Sequence, residues 1–126
     1  MPISTVLLVD DDADIRMIGK LSIEGVGKWR VLMAASGPEG VDVAARERPD
    51  VILLDVMMPL VDGPSVLEAL RRRPETAAIP VIFMTAKAQK YEIERYRELG
   101  ATGVITKPFD PMKLPGEIRR IVEATG

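Results

Sequence analysis

The stretch Val51-Ile52-Leu53-Leu54-Asp55 decides the fold. Four apolar residues lead into one carboxylate, and the chain runs on as Val56-Met57-Met58-Pro59-Leu60-Val61-Asp62-Gly63. A run this apolar has no face to give to water. It reads as a strand buried on both sides, as in a parallel sheet. The carboxylate at its end must then be solvated, paired or bound to metal.

Working outward, strand-like and helix-like stretches alternate. Residues 5–9 form a short apolar run, and 13–26 have helical spacing with Ile15, Ile18 and Ser22 or Leu21 on one side. A strand is expected over 29–35, opened by Trp29, and a helix over 38–48 with Pro38 near its start, a favoured position. After the central strand, a helix over 63–73 turns Val66, Leu67 and Leu70 inward, and a strand follows over 81–84. A helix over 91–99 is closed by Gly100, and a short strand spans 103–106. The last helix is expected over 110–124, with Asp110 as N-cap and Pro111 at its first position. Pro115 removes a helical hydrogen bond, so a kink or a late start is expected there. Five strand-then-helix units with short connections predict an α/β fold: a doubly wound five-stranded parallel sheet covered by helices on both faces.

The totals bound the function. A chain of 126 residues makes one domain, and residues 1–126 show no linker or low-complexity stretch. The net charge of −2 argues against nucleic acid as a direct partner. No cysteine is present, so thiol chemistry is excluded. No histidine is present either, which removes His-based catalytic triads and His metal sites, and any phosphohistidine would have to come from another molecule. No apolar run spans a bilayer and the first residues do not read as a signal peptide, so a cytoplasmic protein without membrane contact is expected.

In an open parallel sheet, ligands sit beyond the carboxyl ends of the strands, where strand order reverses. For the order 2-1-3-4-5, that point lies between the first and third strands. The first ends in Asp10-Asp11-Asp12 and the third in Asp55. Two unit charges ~4 Å apart repel by about 4 kcal/mol at an effective dielectric near 20, so a proton or a cation must relieve the crowding. An all-oxygen site with several carboxylates suits Mg²⁺. Asp12 and Asp14 also fit a helix N-terminus, as cap and first-turn acid. Thr85 ends the fourth strand and Lys107 follows the fifth, at the same rim. Taken singly, each is an ordinary turn, cap or solvated residue. Taken together, two acids for a metal, a central acid, a hydroxyl and an ammonium make a site for a phosphoryl group.

The motifs LLVDDD, ILLDVMMPLVDG, VIFMTA and VITKPF, in this order and spacing, resemble the receiver domain of response regulators in two-component signalling. The resemblance covers essentially the whole chain, as a single receiver domain over 1–126 with no output domain within it. It implies a flavodoxin-like fold of the CheY kind and a phosphoprotein with an aspartyl phosphate. By position, Asp55 resembles the phosphoacceptor. Asp11 would bind Mg²⁺ (or Mn²⁺) directly, Asp10 through water, and the Met57 backbone carbonyl would complete the protein ligands. Thr85 and the Ala86 amide would hold phosphoryl oxygens, and Lys107 would pair with another. The resemblance also implies a cis bond before Pro108 and a turn built on Pro59 and Gly63. The phosphoryl donor would be a sensor histidine kinase or a histidine phosphotransfer protein. Such a domain is not a conventional enzyme. It assists transfer to, and hydrolysis from, its own aspartate, and passes the signal to an unnamed protein, often through the fourth helix, fifth strand and fifth helix. Tyr91, Arg95 and Tyr96 are candidates for that face.

The chain departs from the family at two places. Many receivers carry Tyr or Phe three residues before the site lysine, as a second switch beside the threonine. Here that position is Val104, so a modest or differently routed output change is expected. Met57 and Lys87 flank the phosphate and bear on its lifetime. The run Arg71-Arg72-Arg73 reads as a solvated helix end, where cations are favoured. Two alternatives stand beside the receiver reading. One is a receiver-like binding module that does not use phosphorylation, although Asp55, Asp11 and Lys107 are all present. The other is a haloacid-dehalogenase-like phosphatase, which would want an acid two residues after its nucleophile, where this chain has Met57.

Overall fold

The computed structural model describes residues 2–125. Strands β1 (Thr5–Val9), β2 (Arg30–Ala34), β3 (Val51–Asp55), β4 (Val81–Thr85) and β5 (Gly103–Thr106) alternate with helices α1 (Ala13–Gly25), α2 (Gly37–Glu47), α3 (Gly63–Arg72), α4 (Lys90–Glu98) and α5 (Leu114–Thr125). The strands form one sheet in the order β2-β1-β3-β4-β5, and every neighbouring pair is parallel. All five residues of β3 and of β4 are buried, as a two-sided parallel strand requires.

The alternation of side chains along each strand feeds two cores. On one face, Leu7, Val9, Ile52, Leu54 and Phe83 pack with Val66, Leu67 and Leu70 of α3. On the other, Val6, Leu8, Leu53, Ile82 and Met84 pack with Ile23 of α1 and Leu114 and Ile118 of α5. The Asp50 carboxylate ties the start of β1 to β3, accepting from the Ser4 and Thr5 amides (2.9 Å each) and the Ser4 hydroxyl (3.0 Å).

Three expectations change. The inward stripe of α1 is Gly19, Ser22 and Ile23 with half-buried Ile15, while Ile18 and Leu21 face solvent. Small Gly19 and Ser22 let the helix lie close on Leu8 and the β5–α5 loop, so the contact face is not the most apolar one. Trp29 precedes β2 rather than opening it; its buried ring carries the Arg119 guanidinium at 5.1 Å. The last helix starts at Leu114, not near Asp110, which resolves the choice between kink and late start. A helix begun at Pro111 would lose the bond from residue 115 to the Pro111 carbonyl, because proline has no N–H. That carbonyl instead accepts the Ser22 hydroxyl of α1. Asp110 shapes the preceding turn, accepting from the Met112 amide at 2.9 Å. Gly100, at φ +110°, closes α4 as expected.

Candidate functional site

At the carboxyl rim of the sheet, a cleft of about 340 Å³ is lined by Asp10, Asp11, Asp12, Asp55, Met57, Thr85, Ala86, Lys87 and Lys107. Every side-chain site residue expected from the sequence except the switch position Val104 is therefore in one place. Val104 lies one strand away, half-buried against the core that holds Phe83 and Tyr96.

Asp55 is the last residue of β3 and is 5% exposed. It cannot retreat from its neighbours, because the chain turns sharply behind it. A Cβ on Gly63 would come within 2.8 Å of the Val56 Cα and 2.9 Å of the Asp55 carbonyl, so only glycine fits there. The Gly63 amide fastens this turn to the Val56 carbonyl at 2.9 Å, and Asp62 caps α3 by accepting from the Ser65 amide at 2.9 Å.

Asp10 is fully buried at the end of β1. Carboxylate oxygens of Asp10, Asp11 and Asp55 lie within 4.8 Å of one another. The ammonium of Lys107 reaches between them, 2.9 Å from Asp10 Oδ2 and 3.2 Å from Asp55 Oδ1. Burial, then the charge on Asp10, raises the Asp55 pKa; Lys107 and the Met57 amide, 3.3 Å from Asp55 Oδ1, partly offset this. Burial opposes the charge on Lys107, but its bonds and attraction to Asp10 and Asp55 prevail and raise its pKa. With four aspartates and two lysines in its lining, the cleft stays negative. All-oxygen donors, two of them buried and one exposed, fit a hard divalent cation that keeps part of its water.

The rim is held from both sides. Thr85 ends β4 with its hydroxyl accepting from the Lys87 amide at 3.0 Å, which leaves its own proton free to donate. The Lys107 amide bonds the Thr85 carbonyl at 2.9 Å, and the Lys107–Pro108 peptide is cis, as the resemblance implied. Asp12 does cap α1, accepting from the Asp14 amide at 2.8 Å and the Ile15 amide at 3.4 Å. Two arginines carry more than the sequence reading assigned. Arg16 reaches back from α1 to donate to the Asp10 carbonyl at 2.7 Å, fixing the acidic turn. Arg71 is half-buried, not a solvated helix end, and donates to the carbonyls of Ala77 (3.1 Å), Ile79 (2.8 Å) and Gly100 (3.1 Å). Nothing in the local spacing sets Arg71 apart from Arg72, because its acceptors are backbone carbonyls in the loops after α3 and α4, which no residue type marks.

A doubly wound sheet with three convergent acids, a threonine and a lysine at its switch point defines a class of phosphoryl-handling α/β signalling domain. A family model described as the response regulator receiver domain matches residues 6–119, and this chain belongs to that family. Among curated proteins it is similar to the DNA-binding dual master transcriptional regulator RpaA of Synechocystis, 36% identical over 120 residues, which are 95% of this chain and 49% of that protein. It is also similar to the phosphate regulon transcriptional regulatory protein PhoB of Pseudomonas aeruginosa, 35% identical over 122 residues, 97% of this chain and 53% of that protein. The chain thus spans about half the length of these relatives. Among solved structures, chemotaxis protein CheY4 of Vibrio cholerae superposes with a TM-score of 0.87 at 31% identity, covering 95% of this chain and 99% of that one. The chain is a receiver domain of two-component signalling. No helix among the described residues is long and apolar enough to cross a membrane.

Proposed function

We propose that Asp55 accepts a phosphoryl group from a phosphohistidine on a sensor kinase or phosphotransfer protein, and that the resulting acyl phosphate switches protein contacts. The observation that supports this best is the placement of Asp55: buried, at the end of the central strand, 3.2 Å from the Lys107 ammonium and within 4.8 Å of two further carboxylates.

An Asp55 oxygen attacks phosphorus in line as the phosphorus–nitrogen bond to the donor imidazole breaks, and the imidazole leaves with the bonding pair. Asp11, Asp55 and the Met57 carbonyl would hold Mg²⁺ or Mn²⁺, with Asp10 acting through water, and the bound cation would supply positive charge to offset that on the transferring group. Lys107 pairs with one phosphoryl oxygen, and the Thr85 hydroxyl and Ala86 amide donate to others. Hydrolysis returns the carboxylate, with exposed Met57 and Lys87 at the cleft mouth governing how water enters. The donor docks beside the cleft, where Met17, Ile18 and Leu21 of α1 present apolar surface to solvent. The reaction takes place in the cytoplasm, and the downstream target is a protein.

Beryllofluoride, a stable mimic of the acyl phosphate, tests the assignment by fluorine NMR. Bound resonances are expected only with a divalent cation, and none in Asp55→Asn or Asp11→Asn. Binding without metal, or unchanged binding in Asp55→Asn, would overturn it.

A further inference from the structure

Across the β3–α3 loop from the acidic cleft lies a second, larger groove of about 540 Å³. Val56, Met58, Pro59, Pro64, Tyr96 and Leu99 give it an apolar lining. At its edge, next to Pro59, stands Leu60, whose side chain is fully exposed (104%). Leu60 has φ +71°, and the Val61 amide bonds back to the Pro59 carbonyl at 2.8 Å. That is a γ-turn of the left-handed kind, which is rare and strained. Glycine or asparagine adopts this conformation at lower cost. Among the described residues, the other non-glycine positions at positive φ are Lys28 and Arg48, both polar and both just beyond helix ends. Leu60 combines backbone strain with an apolar side chain held in water, and strain of this kind points to a functional contact.

We propose that this face pairs two copies of the chain about a two-fold axis, the Leu60 of each copy seated in the groove of the other. A two-fold contact needs knob and groove on one and the same patch, and they are neighbours here. The charges fit as well. The groove carries one acid, Asp62, and one base, Arg95. Arg95 has no ion-pair partner among the described residues. One acid and one base on the same patch let two-fold pairing match opposite charges, so the patch is complementary to itself. Met57 belongs to both the groove and the cleft, which places the contact directly beside Asp55. The pairing itself requires neither metal nor phosphoryl group.

Sedimentation equilibrium of the unphosphorylated chain in a metal chelator, from micromolar to millimolar, is the test. The wild type is expected to shift from monomer to dimer mass. Leu60→Gly re-exposes two grooves at once and is expected to associate at least about 100-fold more weakly. Its melting temperature at low concentration should equal or exceed the wild type's, because the strain is relieved, so loss of pairing is not loss of fold. Arg95→Glu, at an exposed position, should also weaken association. A wild type that remains monomeric at millimolar concentration overturns the proposal, whatever else the groove binds. So does Leu60→Gly that pairs as tightly as the wild type.

Discussion

Asp55 is built against its own stability. Burial and the Asp10 charge disfavour its ionised form, and Lys107 repairs only part of this, so its pKa is raised. A carboxylate whose folded pKa lies above its unfolded value destabilises the fold when ionised. The penalty is fully present above the folded pKa. It is relieved as pH falls through that value, and is gone below the unfolded value near 4. Metal-free Asp55→Asn should therefore melt above the wild type at neutral pH. The difference should shrink on acidification, beginning at a higher pH than an ordinary carboxylate would give. Saturating Mg²⁺ should narrow or reverse the order, because the cation binds the wild-type fold. Thermal melts over pH, with and without metal, check this; an Asp55→Asn that melts lower without metal contradicts it. The convergence of these residues was legible because the acids, Thr85 and Lys107 all sit at strand ends, where the fold brings remote residues together. Arg16 was not legible, since its contact is to the backbone carbonyl of Asp10 and no residue type advertises that.

Among the elements, the helices differ in how firmly they are held. Helix α3 buries Val66, Leu67 and Leu70 and is latched at its far end by Arg71. Arg71→Ala leaves three carbonyls without that donor and should cost about 2–3 kcal/mol, read from denaturant midpoints. Exposed Arg72, paired with Glu68 one turn back, should cost less than about 0.5 kcal/mol on the same change. Equal effects would mean that Arg71 is merely another solvated cation. Helix α4 is the contrary case. It buries no residue and its N-cap Gln89 makes no side-chain cap bond. Half-buried Tyr96, edge-on to Phe83 with centroids 5.1 Å apart, fastens it to the sheet, while Tyr91 is exposed. Local stability follows buried contacts, so α4 amides should exchange faster than those of α1, α3 and α5. Phe83 shares a strand face with Thr85, two residues on, and Val104 packs in the same core as Phe83 and Tyr96. Aliphatic Val104 has no ring to swing inward, so a phosphate mimic should alter exchange most around Thr85 and the start of α4, and little over β5. Strong protection along β5 would contradict that route. The start of α5 could not be read cleanly from sequence, because Asp110-Pro111 is a good helix opening locally. It is overridden by Pro115 and by the long-range bond from Ser22.

For the whole molecule, two apolar layers hold one sheet, and the sheet gathers the chemistry at one edge. The strand order was legible from alternation and from the two-sided apolar β3 and β4. The inward face of α1 was not, because small Gly19 and Ser22 pack where larger apolar residues were expected. Phosphorylation of Asp55 is what we propose this architecture serves. Intact mass, measured after offering Mg²⁺ with a small acyl phosphate and, separately, a phosphorylated histidine donor, tests it most directly. A gain of one phosphoryl group that needs the metal and is absent in Asp55→Ala is expected. A gain that persists in Asp55→Ala, or a folded, metal-binding wild type that gains nothing from either donor, would contradict it.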